Sequence, residues 1–238
     1  MFQALGNLAE RYRVSEIMDR PDLEPILHRR ALQGLATLNL LSRSVGILWP
    51  RIFSLARRLG RPVRILDLAT GGGDVPLKLW QRAQKVGMQV DILGIDISRC
   101  ALDVAQARAE RARAALRFAQ VDVLRDALPG DHDILICSLF LHHLNERDAI
   151  DLLGRMVAAA RHLVLVNDLV RSRAGSILVA AAARLFTRSP VVWTDASRSV
   201  RAAFTVRELR KLASCAGMHD IRLTRHWFCR MLLEWGRP

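Results

Sequence analysis

Hydrophobic positions change their period once along the chain. In the first sixty residues Leu27, Ala31, Leu35, Leu38 and Val45 recur at helical three- and four-residue steps, and no strand pattern intervenes. Pro50 is read as interrupting that pattern, with a second amphipathic segment from Ile52 to Leu59, so residues 1–60 are expected to form an N-terminal helical cap. After Pro62 the pattern turns β-branched and aliphatic in Val63-Arg64-Ile65-Leu66-Asp67-Leu68, then stops at Gly71-Gly72-Gly73. A helix should follow, with Asp74 as its N-cap and Pro76 tolerated in its first turn.

The alternation then repeats. Strands are expected at Val90 to Ile95, Leu116 to Val121, Asp133 to Ser138 and His162 to Asn167, with helices from Ser98 to Arg113 and Glu146 to Ala160. A helix near Ser176 to Phe186, a polar stretch to Ala203, and a helix opened by the Thr205–Glu208 capping box come next. Two final runs, Asp220 to Leu223 and Trp227 to Leu233, have no helix between them and read as an antiparallel edge hairpin. The fold class is therefore α/β: a Rossmann-like, doubly wound, mostly parallel seven-stranded sheet with that hairpin at its C-terminal edge and the helical cap at its N-terminus. Residues 61–238 form the main domain, with an insertion at 171–203 placed as a lid.

Composition narrows the partners. The 238 residues carry a net charge of +13, but Lys78, Lys85 and Lys211 are the only lysines and the arginines are dispersed along the chain. A nucleic-acid surface would gather its cations into a stripe or tail, so the charge reads as solvated helix faces, with peripheral contact to an anionic membrane left open. Cys100, Cys137, Cys215 and Cys229 lie too far apart in sequence for a zinc or redox motif, and are expected as free thiols in a reducing cytoplasm. Met1 to Glu10 lacks the features of a secretory signal, and no apolar run is long enough to span a bilayer.

Chemistry concentrates at strand ends, where open parallel sheets bind ligands. Asp67-Leu68-Ala69-Thr70-Gly71-Gly72-Gly73 lacks the third glycine of a dinucleotide fingerprint, which would fall at Pro76, and the Gly-Lys-Ser/Thr end of a phosphate loop. Asp67 ahead of the glycines suits an ammonium better than a pyrophosphate. Asp96 closes the second strand, where a carboxylate can accept from both ribose hydroxyls, and Asp122 with Val123 follows the third, where an adenine amino group can be met.

This ordered set resembles the class I S-adenosylmethionine-dependent methyltransferases, in the branch that modifies small quinone, phenol and polyketide-type molecules, from about Val63 to the C-terminus. Ala69 stands where the family pattern has its first glycine. The resemblance implies S-adenosylmethionine as cofactor, its methionine part cradled by Ala69, Thr70, Gly71 and Gly73 beside Asp67. Asp96 would hold the ribose, Ile97, Asp122 and Val123 the adenine, and Ser138 would join the same set. It also implies that Ile136 to Leu144 lines the reaction centre, with His143 or His142 as a general base for a phenol or enol, against the alternative that they only cap a helix or shape the pocket. Adjacent histidines without a nearby third ligand are a weak metal motif, and no metal is expected.

Trp193, Asp195, Ser199 and Arg201 resemble a substrate-facing lid segment, and Tyr12 resembles a tyrosine that folds over the cofactor in quinone methyltransferases. The expected activity is methyl transfer to a small-molecule hydroxyl, with O-methylation ahead of C-methylation. The alternatives are an RNA methyltransferase and a catalytically silent cofactor-binding partner.

Overall fold

The computed structural model describes residues 10–20, 22–227 and 229–237. The reading of the chain's start as free of a signal segment rests on residues 1–9 and so lies outside them. A 3-10 turn, Ile17–Asp19, precedes helices α1 (Pro25–Leu41) and α2 (Ser44–Leu59). Strand β1 (Val63–Leu68), α3 (Asp74–Lys85), β2 (Val90–Asp96), α4 (Arg99–Arg111), β3 (Leu116–Gln120), β4 (His132–Ser138), α5 (Glu146–Ala159) and β5 (Ala160–Leu169) follow. The chain then forms α6 (Arg173–Phe186), α7 (Pro190–Ala202), α8 (Val206–Cys215), β6 (Arg222–His226) and β7 (Arg230–Gly236).

The seven strands are ordered β3-β2-β1-β4-β5-β7-β6, with β7 antiparallel to both neighbours and the first five strands parallel. Strand order reverses between β1 and β4, which opens a crevice at their carboxyl ends. Residues alternate across each strand. Ile65, Ile134, Ile136, Leu165 and Leu232 pack against α2 and α3, and Leu66, Leu135, Val164, Val166 and Leu233 pack on the opposite face with α5 and α8. No helix among the described residues is long and apolar enough to cross a membrane.

Three local expectations are corrected. The break between the first two helices falls at Ser42-Arg43, where Arg43 has φ 54°, and Pro50 lies inside α2. Losing one helical hydrogen bond there costs less than exposing Ile47, Leu48, Ile52 and Leu55, which that helix buries. Asp74 is the first residue of α3, not its N-cap; the cap is Gly73, at φ 70°, and the Asp74 carboxylate accepts from Asn39 Nδ2 at 3.0 Å. The polar stretch before Ala203 contains α7, started by the Ser189 cap and Pro190, with Val192, Ala196 and Val200 buried at four-residue steps.

Helix α1 lies over the carboxyl ends of the strands and is tied down at its middle and at its C-terminal end. Arg108 on α4 donates to the carbonyls of Gly72 and Leu32, and Arg230 on β7 donates to Asn39 Oδ1 and Ser42 Oγ, each at 2.9 Å. Between α1, α6, α7 and the strand ends is a cavity of about 810 Å³.

Candidate active site

One wall of the cavity is the β1–α3 loop. Asp67 is fully inside, and its Oδ2 accepts the Thr70 hydroxyl at 2.6 Å. Burial pushes its carboxyl up to about 7, a group poised to take a proton or a cation. Ala69, Gly71 and Gly73 alternate in the left-handed region at φ 51°, 56° and 70°. That turn aims the Gly71 N–H at Asp96 Oδ2 (2.8 Å), while Ser98 N–H meets Asp96 Oδ1 (2.8 Å). Burial raises Asp96 as well, against these two hydrogen bonds that favour its anion. Asp122 turns the chain after β3 by accepting from Leu124 N–H, and Ile97, exposed, borders the cavity opposite it.

The other wall carries the histidines. A 3-10 turn, Leu141–His143, follows β4 and places the two imidazoles 4.3 Å apart. His142 is buried, its Nδ1 2.7 Å from Asp168 Oδ1 and its Nε2 3.4 Å from Glu16 Oε1. Burial alone would lower it, but the Asp168 charge and hydrogen bond, reinforced by Glu16, push it up to about 10. Glu16 is drawn down to about 2: burial opposes this, and the charges of His143 and His142 with hydrogen bonds from His142 and Ser199 overcome it. His143 reaches the cavity with Nδ1 held by Asp19 Oδ2 at 2.8 Å and Nε2 3.9 Å from Glu16 Oε1. The donor atoms of Glu16, His142 and His143 lie within 4.8 Å of one another, a spacing a metal ion would accept, although Asp168 and Asp19 already hold the two Nδ1 atoms.

The cavity brings together Asp67, Ala69, Thr70, Gly71, Asp96, Ile97, Asp122, Val123, Ser138, His142, His143, Asp195 and Ser199. Four expected contacts fall elsewhere. Gly73 packs against α4, where a Cβ would lie 2.7 Å from that of Ala105. Trp193 turns away to donate its Nε1–H to the Thr187 carbonyl at 3.1 Å, so it is not an aromatic wall of this cavity. Arg201 and Tyr12 stack on each other at 4.6 Å outside the cavity, with Tyr12 half exposed. Asp195 and Ser199 face the cavity but hold the N-terminal segment: Asp195 accepts from the Ile17 and Met18 N–H groups, and Ser199 Oγ donates to Glu16 Oε1. His142 is also corrected as a base, because a group kept protonated between two carboxylates has no lone pair to offer at neutral pH.

Glu16, Asp19, Asp168, Asn39 and Arg230 were not anticipated. Arg11, one residue before Tyr12, is the anchor of its segment: it lies 3.7 Å over the Phe204 ring and donates to the carbonyls of Ala202, His142 and Leu144. The available signals were the polar pair Asn167-Asp168 closing an apolar strand and Arg230 opening another.

Residues 65–162 match the family model described as a methyltransferase domain. The chain is 30% identical over 130 residues to a demethylmenaquinone methyltransferase of Deinococcus radiodurans, covering 54% of this chain and 52% of the relative. It is 24% identical over 173 residues to a ubiquinone biosynthesis O-methyltransferase of Acinetobacter baylyi, covering 69% and 70%. It superposes on the S-adenosylmethionine-dependent methyltransferase SibL with TM-score 0.64 at 19% identity, covering 97% of this chain and 65% of that one. The chain spans about half the length of the demethylmenaquinone methyltransferases it matches. Its fold is the Rossmann-like one of the SibL structure, with the methyltransferase-domain match confined to residues 65–162.

Proposed function

We propose that this protein transfers a methyl group from S-adenosylmethionine to a hydroxyl of a small aromatic or quinol-like acceptor. The observation that carries the reading is the Asp19–His143 dyad, which faces the same cavity as the glycine loop and Asp96. The residues fit the cofactor: Asp67 offers a carboxyl to an ammonium, Asp96 stands at the second strand end for a ribose, and Asp122 with Val123 stands at the third for an adenine. When bound, the cofactor supplies a methyl carbon activated by sulfonium. The protein's part is to align the acceptor oxygen with that carbon and exclude water, which contributes up to roughly 7–11 kcal/mol in well-aligned cases.

Asp19 favours the tautomer with the proton on His143 Nδ1, leaving Nε2 to take the proton of a phenol as its oxygen becomes the nucleophile. His142, held as an imidazolium, places a positive charge beside a developing phenolate. Leu35, Leu38, Val179 and Val192 give the remaining wall an apolar surface suited to an aromatic or polyketide body. The names of the menaquinone and ubiquinone relatives support that acceptor class. The ubiquinone relative is named for O-methylation; the name of the menaquinone relative leaves the methylated atom open.

The test is turnover of a panel of phenols, quinols and resorcinols, scored by S-adenosylhomocysteine release and by the position of the added methyl. Failure of the wild-type chain to bind S-adenosylhomocysteine in a calorimeter would remove the cofactor half of the proposal. Binding without turnover of any acceptor would point to the silent alternative.

A further inference from the structure

Three residues on adjacent strands share one face at the carboxyl end of the sheet. Ser138 on β4 pairs in register with Asn167 on β5, and Arg230 on β7 pairs with Leu169, two residues further along. The residues preceding them on that face, Ile136 and Leu165, and Leu232 beyond Arg230, belong to one apolar cluster, so the row is where this face turns from apolar to polar. Asn167 is 0% exposed and Arg230 3% exposed. Ser138 and Arg230 border the large cavity.

The polar atoms of this row are not satisfied by the protein. Ser138 Oγ, both amide atoms of Asn167, and Nε and Nη1 of Arg230 are buried without a hydrogen-bond partner. Arg230 spends only Nη2, on Asn39 Oδ1 and Ser42 Oγ, and no carboxylate among the described residues lies within ion-pair distance of it. Buried polar groups are almost always paired, and a buried guanidinium is retained where an anion completes it. The Nε–H and Nη1–H point to different sides of the guanidinium, so an anion takes one of them, and the Asn167 amide and the Ser138 hydroxyl beside it supply donors for its remaining lone pairs.

Resting on the proposed function for what fills the rest of the cavity, we infer that Ser138, Asn167 and Arg230 form a carboxylate-binding subsite. Two ligands can bring that carboxylate: the amino-acid end of the cofactor, or an acid group on the methyl acceptor. Arg230 is linked through Asn39 to Asp74 at the start of α3, beside the glycine loop, and it lies across β5 from the histidine turn. Either ligand would therefore reach it from the same cavity.

The experiment measures binding to the full chain by calorimetry, for wild type, Arg230→Met and Asn167→Leu. The probes are S-adenosylhomocysteine, 5′-methylthioadenosine, which lacks the amino-acid end, and the pair 3,4-dihydroxybenzoate and catechol. If the cofactor supplies the carboxylate, Arg230→Met weakens S-adenosylhomocysteine tenfold or more and leaves 5′-methylthioadenosine unchanged. If the acceptor supplies it, both adenosine ligands bind as in wild type, and the wild-type preference for the acid over catechol is lost.

Asn167→Leu guards against a folding failure at Arg230. It should melt higher, because an unpaired buried amide is removed, and still lose the same preference. A leucine variant that melts higher and binds every probe as wild type does would overturn the subsite, as would an Arg230→Met protein that folds and shifts neither preference. Loss of adenosine-ligand binding already in wild type sinks the proposed function instead, and the acid–catechol arm, run on unloaded protein, still decides the subsite.

Discussion

The two halves of the cavity are built over different distances along the chain. In the glycine-loop half, each functional carboxylate closes or follows a strand, and Asp96 reaches the Gly71 N–H across 25 positions. In the histidine half, Asp19 reaches His143 across 124 positions and Ser199 reaches Glu16 across 183. The first half is therefore shaped by consecutive strand–loop–helix units, whereas the second exists only once the segment around Arg11 to Asp19 has docked against α7 and the turn after β4. On the proposed function, cofactor recognition falls to the preorganised wall and acceptor activation to the wall that long-range packing must assemble.

The sharpest way to break that division is His143→Ala. It should lower kcat by roughly 10²–10⁴-fold, the usual contribution of a general base, while leaving the Kd of S-adenosylhomocysteine unchanged. An equal loss of cofactor affinity would show that the halves are not separate.

The reciprocal variant, Asp96→Ala, should weaken S-adenosylhomocysteine by roughly 10- to 100-fold, from about 1.5–3 kcal/mol for hydrogen bonds to a charged group. Calorimetry reads this directly, and an unchanged Kd would remove Asp96 from the cofactor wall.

Stability tests the histidine half. Glu16→Gln leaves His142 with one carboxylate in place of two and should cost about 1–3 kcal/mol at neutral pH. Glu16 is lowered on folding to about 2, so its contribution is present above its ordinary value of 4.5 and is lost as pH falls toward 2. His142 is raised to about 10, so its contribution is complete below its ordinary 6.5 and fades as pH rises through 10. The Tm gap between wild type and Glu16→Gln should therefore narrow toward low pH. The gap between wild type and His142→Gln should narrow toward high pH. Gaps that stay constant from pH 3 to 10 would contradict the buried ion cluster.

The smallest expected effect lies in the glycine loop. Ala69 stands at φ 51°, where an alanine is strained by roughly 1–2 kcal/mol and a glycine is not. The glycine's extra freedom in the unfolded chain offsets about 0.4–1 kcal/mol of that. Ala69→Gly should thus be neutral to slightly stabilising in a thermal melt, with cofactor affinity retained; a clear loss of stability would show that the alanine methyl packs usefully.

How legible each half was follows from the same distances. Asp67, Gly71, Asp96 and Asp122 stand at fixed places relative to strands whose hydrophobic runs are visible without a structure. Tyr12, Trp193 and Arg201 were read from local resemblance, and their side chains stack or bond outside the cavity; Arg11, Glu16 and Asp19 do the docking instead. Nothing near Glu16 in sequence indicates that it faces two imidazoles and a serine. Pro50 misled for a related reason: propensity is local, and the apolar face of α2 outweighs it only through burial against the sheet.

The sequence by itself determined the alternating strands and helices and the acidic strand ends, because hydrophobic period and strand-end position are properties of neighbouring residues. Only the tertiary structure decided which histidine is held as a cation and which faces the cavity, and that Ser138, Asn167 and Arg230 stand side by side with open hydrogen-bonding groups. Those facts depend on charges and donors brought together from distant parts of the chain, and their burial, partners and protonation exist only once the N-terminal segment, α1, α7 and the last strand have packed on the sheet.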